Sequence, residues 1–111
     1  MEEIVKSDIV VLPFLFTDLS ATKKRPALII AALRGEDCIV CQITGKIVKY
    51  TYVVELNDTN IIGGKLDGVS YVRTNKIFTA DKSIIQYKIG KLDFEKMNAV
   101  EEKIIGLIRN I

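Results

Sequence analysis

A chain of 111 residues has room for one domain, residues 1–111, whose core buries roughly two-thirds of the unfolded surface. Hydrophobic residues make up 49%, rich in Ile and Val, which excludes a disordered chain and closes a core without staples. A net charge of +2 is too small to name a nucleic-acid binder by itself and too small to exclude one.

The first eight residues, Met1 to Asp8, carry acid where a secretory signal carries base ahead of an apolar run. The longest apolar stretch, Ala27 to Leu33, stops at Arg34, far short of the ~20 residues of a spanning helix. A soluble, cytoplasmic protein with no membrane association is expected. Alternation and β-branched runs then predict strands at about Asp8 to Pro13, Pro26 to Leu33, Asp37 to Thr44 and Ile47 to Leu56. In the third of these, Ile39, Cys41 and Ile43 are expected on one face, with Gln42 and Thr44 on the other, so that Thr44 projects away from the apolar side before Gly45 ends the strand. In the fourth, Val48, Tyr50, Tyr52 and Val54 alternate with Lys49, Thr51 and Glu55, as in a sheet with one wet face.

Turn-forming residues from Asn57 to Asn60 and at Gly63-Gly64-Lys65 mark a covering loop. Strands follow at Val69 to Thr74, Lys76 to Thr79 and Gln86 to Leu92. The chain closes with an amphipathic helix: Asp93 is its N-cap, Leu92 and Met97 form a hydrophobic staple, and Met97, Val100, Ile104, Leu107 and Ile108 recur at helical spacing. The order of these elements predicts a mostly β (α+β) fold, a small barrel with a C-terminal helix.

Cys38 and Cys41 have C-x-x-C spacing, yet the chain contains no histidine and no third cysteine to complete a zinc set. In a strand, residues three apart face opposite ways, about 10 Å apart, which is beyond a disulfide's reach. Both are expected to be core thiols, and no metal or other cofactor is expected.

Two segments could carry chemistry. The polar loop from Phe14 to Pro26 ends in Lys23, Lys24 and Arg25, and Pro26 forces Arg25 into extended geometry, fixing where its guanidinium leaves the chain. The second segment holds Arg73 and Asn75, on one face of an extended stretch about 6.5 to 7 Å apart. Lys65 to Lys91 holds six basic residues against Asp67 and Asp81, a local +4 within a chain of +2. The plainer alternatives are a solvated basic turn and a lysine-guarded edge strand.

Taken together, the ordered motifs resemble the MazF/PemK (Kid) toxins of type II toxin-antitoxin pairs. They are Asp8-Ile9-Val10-Val11-Leu12-Pro13-Phe14 with Thr17-Asp18, Lys24-Arg25-Pro26-Ala27-Leu28-Ile29, Val40-Cys41-Gln42-Ile43-Thr44, Ser70-Tyr71-Val72-Arg73, Ile77-Phe78-Thr79-Ala80-Asp81-Lys82 and Lys88-Ile89-Gly90-Lys91-Leu92. The resemblance implies an SH3-like small barrel, a homodimer with single-stranded RNA or mRNA across its interface, and a small acidic antitoxin that occupies the same groove. It implies cleavage by the substrate's 2′-hydroxyl without a metal, with Arg25, Thr44, Arg73 and Asn75 at the catalytic positions. Thr17, Ser20, Lys23, Lys24, Gly45, Lys46, Ser70, Lys76 and Thr79 stand at RNA-binding positions. Kid-like members carry an aspartate two residues after the strand arginine; here Asn75 stands there and cannot accept the 2′-hydroxyl proton. Ser7 stands where the family usually has glycine. A gyrase-binding toxin of the CcdB kind, which ends in tryptophan-glycine-isoleucine, is the alternative from another class, but this chain has no tryptophan and ends Arg109-Asn110-Ile111. A member weakened in catalysis that binds RNA or antitoxin alone is the other.

Overall fold

A computed structural model describes residues 3–15, 22–46 and 51–110, with the side chains of Leu15 and Thr22 outside that set. Among the described residues seven strands form one antiparallel sheet: β1 (Asp8–Leu15), β2 (Thr22–Ala32), β3 (Asp37–Thr44), β4 (Val53–Leu56), β5 (Ile61–Ile62), β6 (Ser70–Asp81) and β7 (Tyr87–Leu92), in the order β4-β6-β3-β2-β1-β7-β5. One helix, α1 (Phe94–Arg109), ends the chain and packs on β6 and β4.

Burial explains the sheet's shape. Residues alternate between two apolar clusters on opposite faces. On one face Ile9, Leu28, Cys41, Ile43, Leu56 and Val72 pack with Met97, Val100 and Ile104 of α1. On the other, Val10, Leu12, Ala27, Ile29, Val40 and Ala80 pack with Ile4 and Ile85. Phe14 of β1 meets Phe78 of β6 edge to face, ring centroids 4.8 Å apart, although β2 and β3 lie between those strands in the sheet. That contact requires the sheet to curl over the second cluster, forming a half-barrel with that cluster in its concavity. The expected mostly β barrel-type fold with a C-terminal helix is therefore what the chain adopts.

The β3–β6 pairing is interrupted on β6. Cys41 pairs with Ile77 and Ile43 with Val72, so that on β3 Gln42 alone faces residues 73–76 of β6. This wide bulge adds residues to one strand and bends it. Thr74, wholly buried, fixes the bend by donating from both its N–H (2.9 Å) and its hydroxyl (2.7 Å) to the Tyr52 carbonyl.

The helix starts where its cap residue dictates. The Asp93 carboxylate accepts from the Lys96 N–H at 2.7 Å, and Asn60 Nδ2 donates to its other oxygen at 3.2 Å. Leu92 and Met97, the staple pair, are both buried. Asn110 closes the helix in the left-handed region, at φ 58, where asparagine is tolerated.

The structure corrects several expectations. β2 begins at Thr22 rather than Pro26, because Lys23, Lys24 and Arg25 continue the ladder opposite Phe14, Pro13 and Leu12. The strands expected at 69–74 and 76–79 are one strand, kinked rather than broken. The strand expected from Ile47 is seen from Val53; Thr51 and Tyr52 form a turn, and residues 47–50 lie outside the described set. Ile39 shares the helix-side face with Cys41 and Ile43, as expected, since Cys38 and Val40 on either side of it face the concave cluster, but it is only half-buried. Ile108 is 70% exposed, beyond the edge of the apolar stripe.

Candidate functional site

The register of the strands assembles the site. Ala27 pairs with Gln42, so two residues further along these antiparallel strands Arg25 and Thr44 fall at the same end of the sheet, opposite one another. Thr44 in turn pairs with Tyr71, and Tyr71 with Glu55 on β4. Cross-strand partners share a face, so Arg25, Thr44, Tyr71 and Glu55 form one row across β2, β3, β6 and β4. A second row, Ala27, Gln42, Arg73 and Val53, lies beside it: Arg73 pairs with Val53 and sits two residues along from Tyr71.

Which face carries the rows follows from burial. Leu28, Cys41, Ile43, Val72 and Leu56 all point into the helix-side cluster. The row residues alternate with these, so they occupy the concave face, at the open end of the cluster that contains Ala27, Ile29 and Val40. Arg25, Gln42, Thr44, Tyr71 and Arg73 are half-buried, whereas Glu55, on the edge strand, is exposed. Arg73 Nε is buried among its neighbours. Thr44 Oγ1 accepts from the Lys46 N–H at 3.3 Å, which holds Gly45 and Lys46 in a turn at the rim.

The remaining expected site residues divide around this mouth. Lys23, Lys24, Gly45 and Lys46 are exposed at the same end of β2 and β3. Asn75 and Lys76 are exposed on the bulge of β6. Lys76 and Thr79 line, with Gln42, Phe14 and Phe78, a cleft of about 460 Å³ beside the rows. Ser70 is not brought in: it is buried to 4%, pairs with Leu56 and alternates with Tyr71, which turns it to the helix side. Thr17 and Ser20 lie outside the described residues. Tyr71 and Glu55 were not singled out from sequence; their membership depends on cross-strand register, which periodicity along one strand does not contain.

Both cysteines are free and buried, as expected, on opposite faces. Burial pushes the Cys41 thiol up to about 12. Burial also raises Cys38, although Lys82 acts in the opposite sense, and its thiol donates to the Ala80 carbonyl at 3.5 Å. Neither is poised as a nucleophile. Among the described residues no three His, Cys, Asp or Glu side chains group closely enough to hold a metal ion, and no helix is long and apolar enough to cross a membrane.

A family model described as the PemK-like, MazF-like toxin of type II toxin-antitoxin systems matches residues 6–108. The chain belongs to this toxin family. The family assignment made from the motif order is thereby confirmed. Solved structures of MazF proteins share the fold at low identity. The MazF of a MazE–MazF complex from Deinococcus radiodurans is 19% identical with a TM-score of 0.74, covering 96% of both chains. An endoribonuclease from Mycobacterial species is 17% identical with a TM-score of 0.73, covering 98% of this chain and 94% of that one. The Mycobacterium tuberculosis toxin MazF-mt6 is 20% identical with a TM-score of 0.68, covering 92% and 97%. No curated protein matches the chain in sequence.

Proposed function

We propose that this PemK/MazF-family toxin is an endoribonuclease that cuts single-stranded RNA without a metal ion, acts as a homodimer in the cytoplasm, and is neutralised by a small acidic antitoxin. The observation that carries the reading is the placement of Arg25 and Thr44 at the same end of neighbouring strands, with Arg73 in the adjoining row, on a concave face rimmed by Lys23, Lys24 and Lys46.

In metal-free cleavage the ribose 2′-hydroxyl attacks phosphorus and the 5′-oxygen leaves, giving a 2′,3′-cyclic phosphate or 3′-phosphate and a 5′-hydroxyl. Negative charge builds on the non-bridging oxygens. A guanidinium keeps its proton throughout and donates two parallel hydrogen bonds, so the role fitting Arg25 is a charge clamp, with the Thr44 hydroxyl as a further donor. Such a preorganised donor contributes about 3 to 4 kcal/mol, or about 10² to 10³ in rate. Sequence selectivity then requires an unstacked strand whose bases enter clefts such as the one beside Phe14 and Phe78. Relatives in the same fold include an endoribonuclease in complex with its cognate antitoxin, which supports an antitoxin partner here.

The test is incubation of the purified protein with a long single-stranded RNA, with and without EDTA, and mapping of 5′-hydroxyl ends. Discrete cuts that persist in EDTA support the reading. Cuts that require added Mg²⁺ overturn the metal-free mechanism, and RNA binding with no cuts identifies instead a binding-only member, the outcome that Asn75 favours.

A further inference from the structure

Resting on that reading, we propose that Glu55 is the general base: its carboxylate takes the 2′-hydroxyl proton at the end of the Arg25–Thr44–Tyr71–Glu55 row, the duty for which Asn75 is chemically unfit.

Chemistry sets the requirement. Electrostatic clamping by Arg25 and Thr44 leaves the nucleophile's proton without an acceptor. Arginine has no acceptor, threonine is too weakly basic, and the Asn75 amide does not take up a proton. A tyrosine must first lose its own proton. With no histidine in the chain, the row's carboxylate is the group among the described residues of the row that can do it.

Topology singles out which carboxylate. Strands β2, β3, β4 and β6 contain three acidic residues: Asp37, Glu55 and Asp81. Asp37 and Asp81 pair with each other at the start of β3, and Asp81 lines the cleft beside Phe14 and Phe78, but Thr44 ends β3, roughly 23 Å along the strand at 3.3 Å per residue. Glu55 instead pairs with Tyr71, which pairs with Thr44. It is two strand spacings from Thr44, about 10 Å between backbones, a gap spanned by a ribose-phosphate unit and the glutamate side chain. Val54 and Leu56 on either side pack toward the helix-side core, so Glu55 must face the concave side. The side chain is exposed and free to meet a substrate.

The proton balance closes. Glu55 takes the 2′-hydroxyl proton as the 2′-oxygen bonds to phosphorus. The bond from phosphorus to the 5′-oxygen breaks, the 5′-oxygen takes a proton from solvent, and Glu55 returns its proton to solvent. Among the described residues, the charged and titratable groups on the strands flanking Glu55 are Tyr71 and Arg73 from β6, with Lys46 beyond the end of β3 and Arg25 at the far end of the row. α1 packs beneath β4 on the other face, where its Glu102 and Lys103 line a hollow with Thr51 and Tyr52.

The experiment compares wild type, Glu55→Gln, Glu55→Asp and Glu55→Gln combined with Asn75→Asp on a long single-stranded RNA. Binding is measured to an oligonucleotide spanning the mapped cut with a 2′-deoxy residue at the scissile position. Glu55→Gln is expected to lower the cleavage rate by about 10² to 10⁴, leave binding and thermal unfolding unchanged, and flatten the fall in rate on acidification. Glu55→Asp keeps part of the rate, and Asn75→Asp restores part of it to the Glu55→Gln protein. An unchanged rate, or a slowed rate with the wild-type pH profile, overturns the role. If wild type cuts no RNA at all, the nuclease reading fails first, and that failure is distinct from this one.

Discussion

The two ends of the β1–β2–β3 sheet use charge in opposite ways. Where β7 joins β1, Asp8 is buried to 1% and its carboxylate is spent inside the protein. Lys88 approaches at 3.1 Å, Lys91 at 3.7 Å, and the Val5 N–H donates at 2.8 Å. Lys91 also donates to the Lys6 carbonyl at 3.0 Å. These contacts hold the turn through Ser7, which sits at φ 79. At the other end, Arg25, Thr44 and Arg73 converge on an open concave face with Lys23, Lys24 and Lys46 exposed at its rim. Charge locks backbone at the first end, whereas at the second it lines a concave face, half-buried at Arg25 and Arg73 and exposed at Lys23, Lys24 and Lys46. A basic residue's number in the sequence therefore says little until its strand and row are known: Lys88 and Lys91 contribute to the local +4 but serve the fold.

Substitutions at the two ends should separate activity from stability. The largest effect belongs to the open end: Arg25→Ala and Thr44→Ala each lower RNA cleavage by about 10² to 10³, measured by the rate of 5′-hydroxyl formation, while circular dichroism and thermal unfolding stay as in wild type. Wild-type cleavage by both folded variants breaks the contrast. At the closed end, Asp8→Ala removes the acceptor for Lys88, Lys91 and the Val5 N–H. Since the lysines reach solvent, the loss is about 2 to 3 kcal/mol in urea unfolding, with cleavage per folded molecule unchanged. Gly64→Ala lies nearby: an added Cβ there lies 1.9 Å from the Ile89 carbonyl oxygen, so the loop must shift, at a cost of about 1 to 3 kcal/mol. Asp93→Ala strips the helix cap and costs about 1 kcal/mol.

A further effect, confined to alkaline pH, lies between the two ends, at Cys41. Its thiol is held protonated in the fold, pushed up to about 12 from 9.0. Above pH 9.0 the unfolded chain sheds this proton and the native one keeps it. The native state then binds more protons, and stability falls as pH rises through that window. Thermal unfolding across that range checks it, and Cys41→Ser should flatten this component of the slope.

How much of this was legible from sequence depended on whether the information was local. The bounds of β3, Asp37–Thr44, and the Asp93 cap matched expectation, because alternation and capping chemistry are written within a few residues. The orientation of Thr44 away from Ile43 was legible for the same reason. At Thr74-Asn75 the alternation is interrupted, because residues 73–76 bulge against Gln42 alone; a bend and a break look alike in one strand's pattern. Ser70 stood at an RNA-binding position by resemblance, and its pairing with Leu56 turns it to the helix side, where it is buried. Glu55 was placed on a wet face, correctly, yet its row-mates come from three other strands, and no pattern within β4 names them.

The β6 bulge makes the spacing of the site editable. Residues 73–76 face a single residue of β3, so a small insertion or loss there is taken up by the loop of backbone itself, while Phe78 and Ala80 keep their neighbours. Adding or removing a residue at this joint would shift the arginine-bearing segment relative to Thr44 without renegotiating the hydrophobic interior.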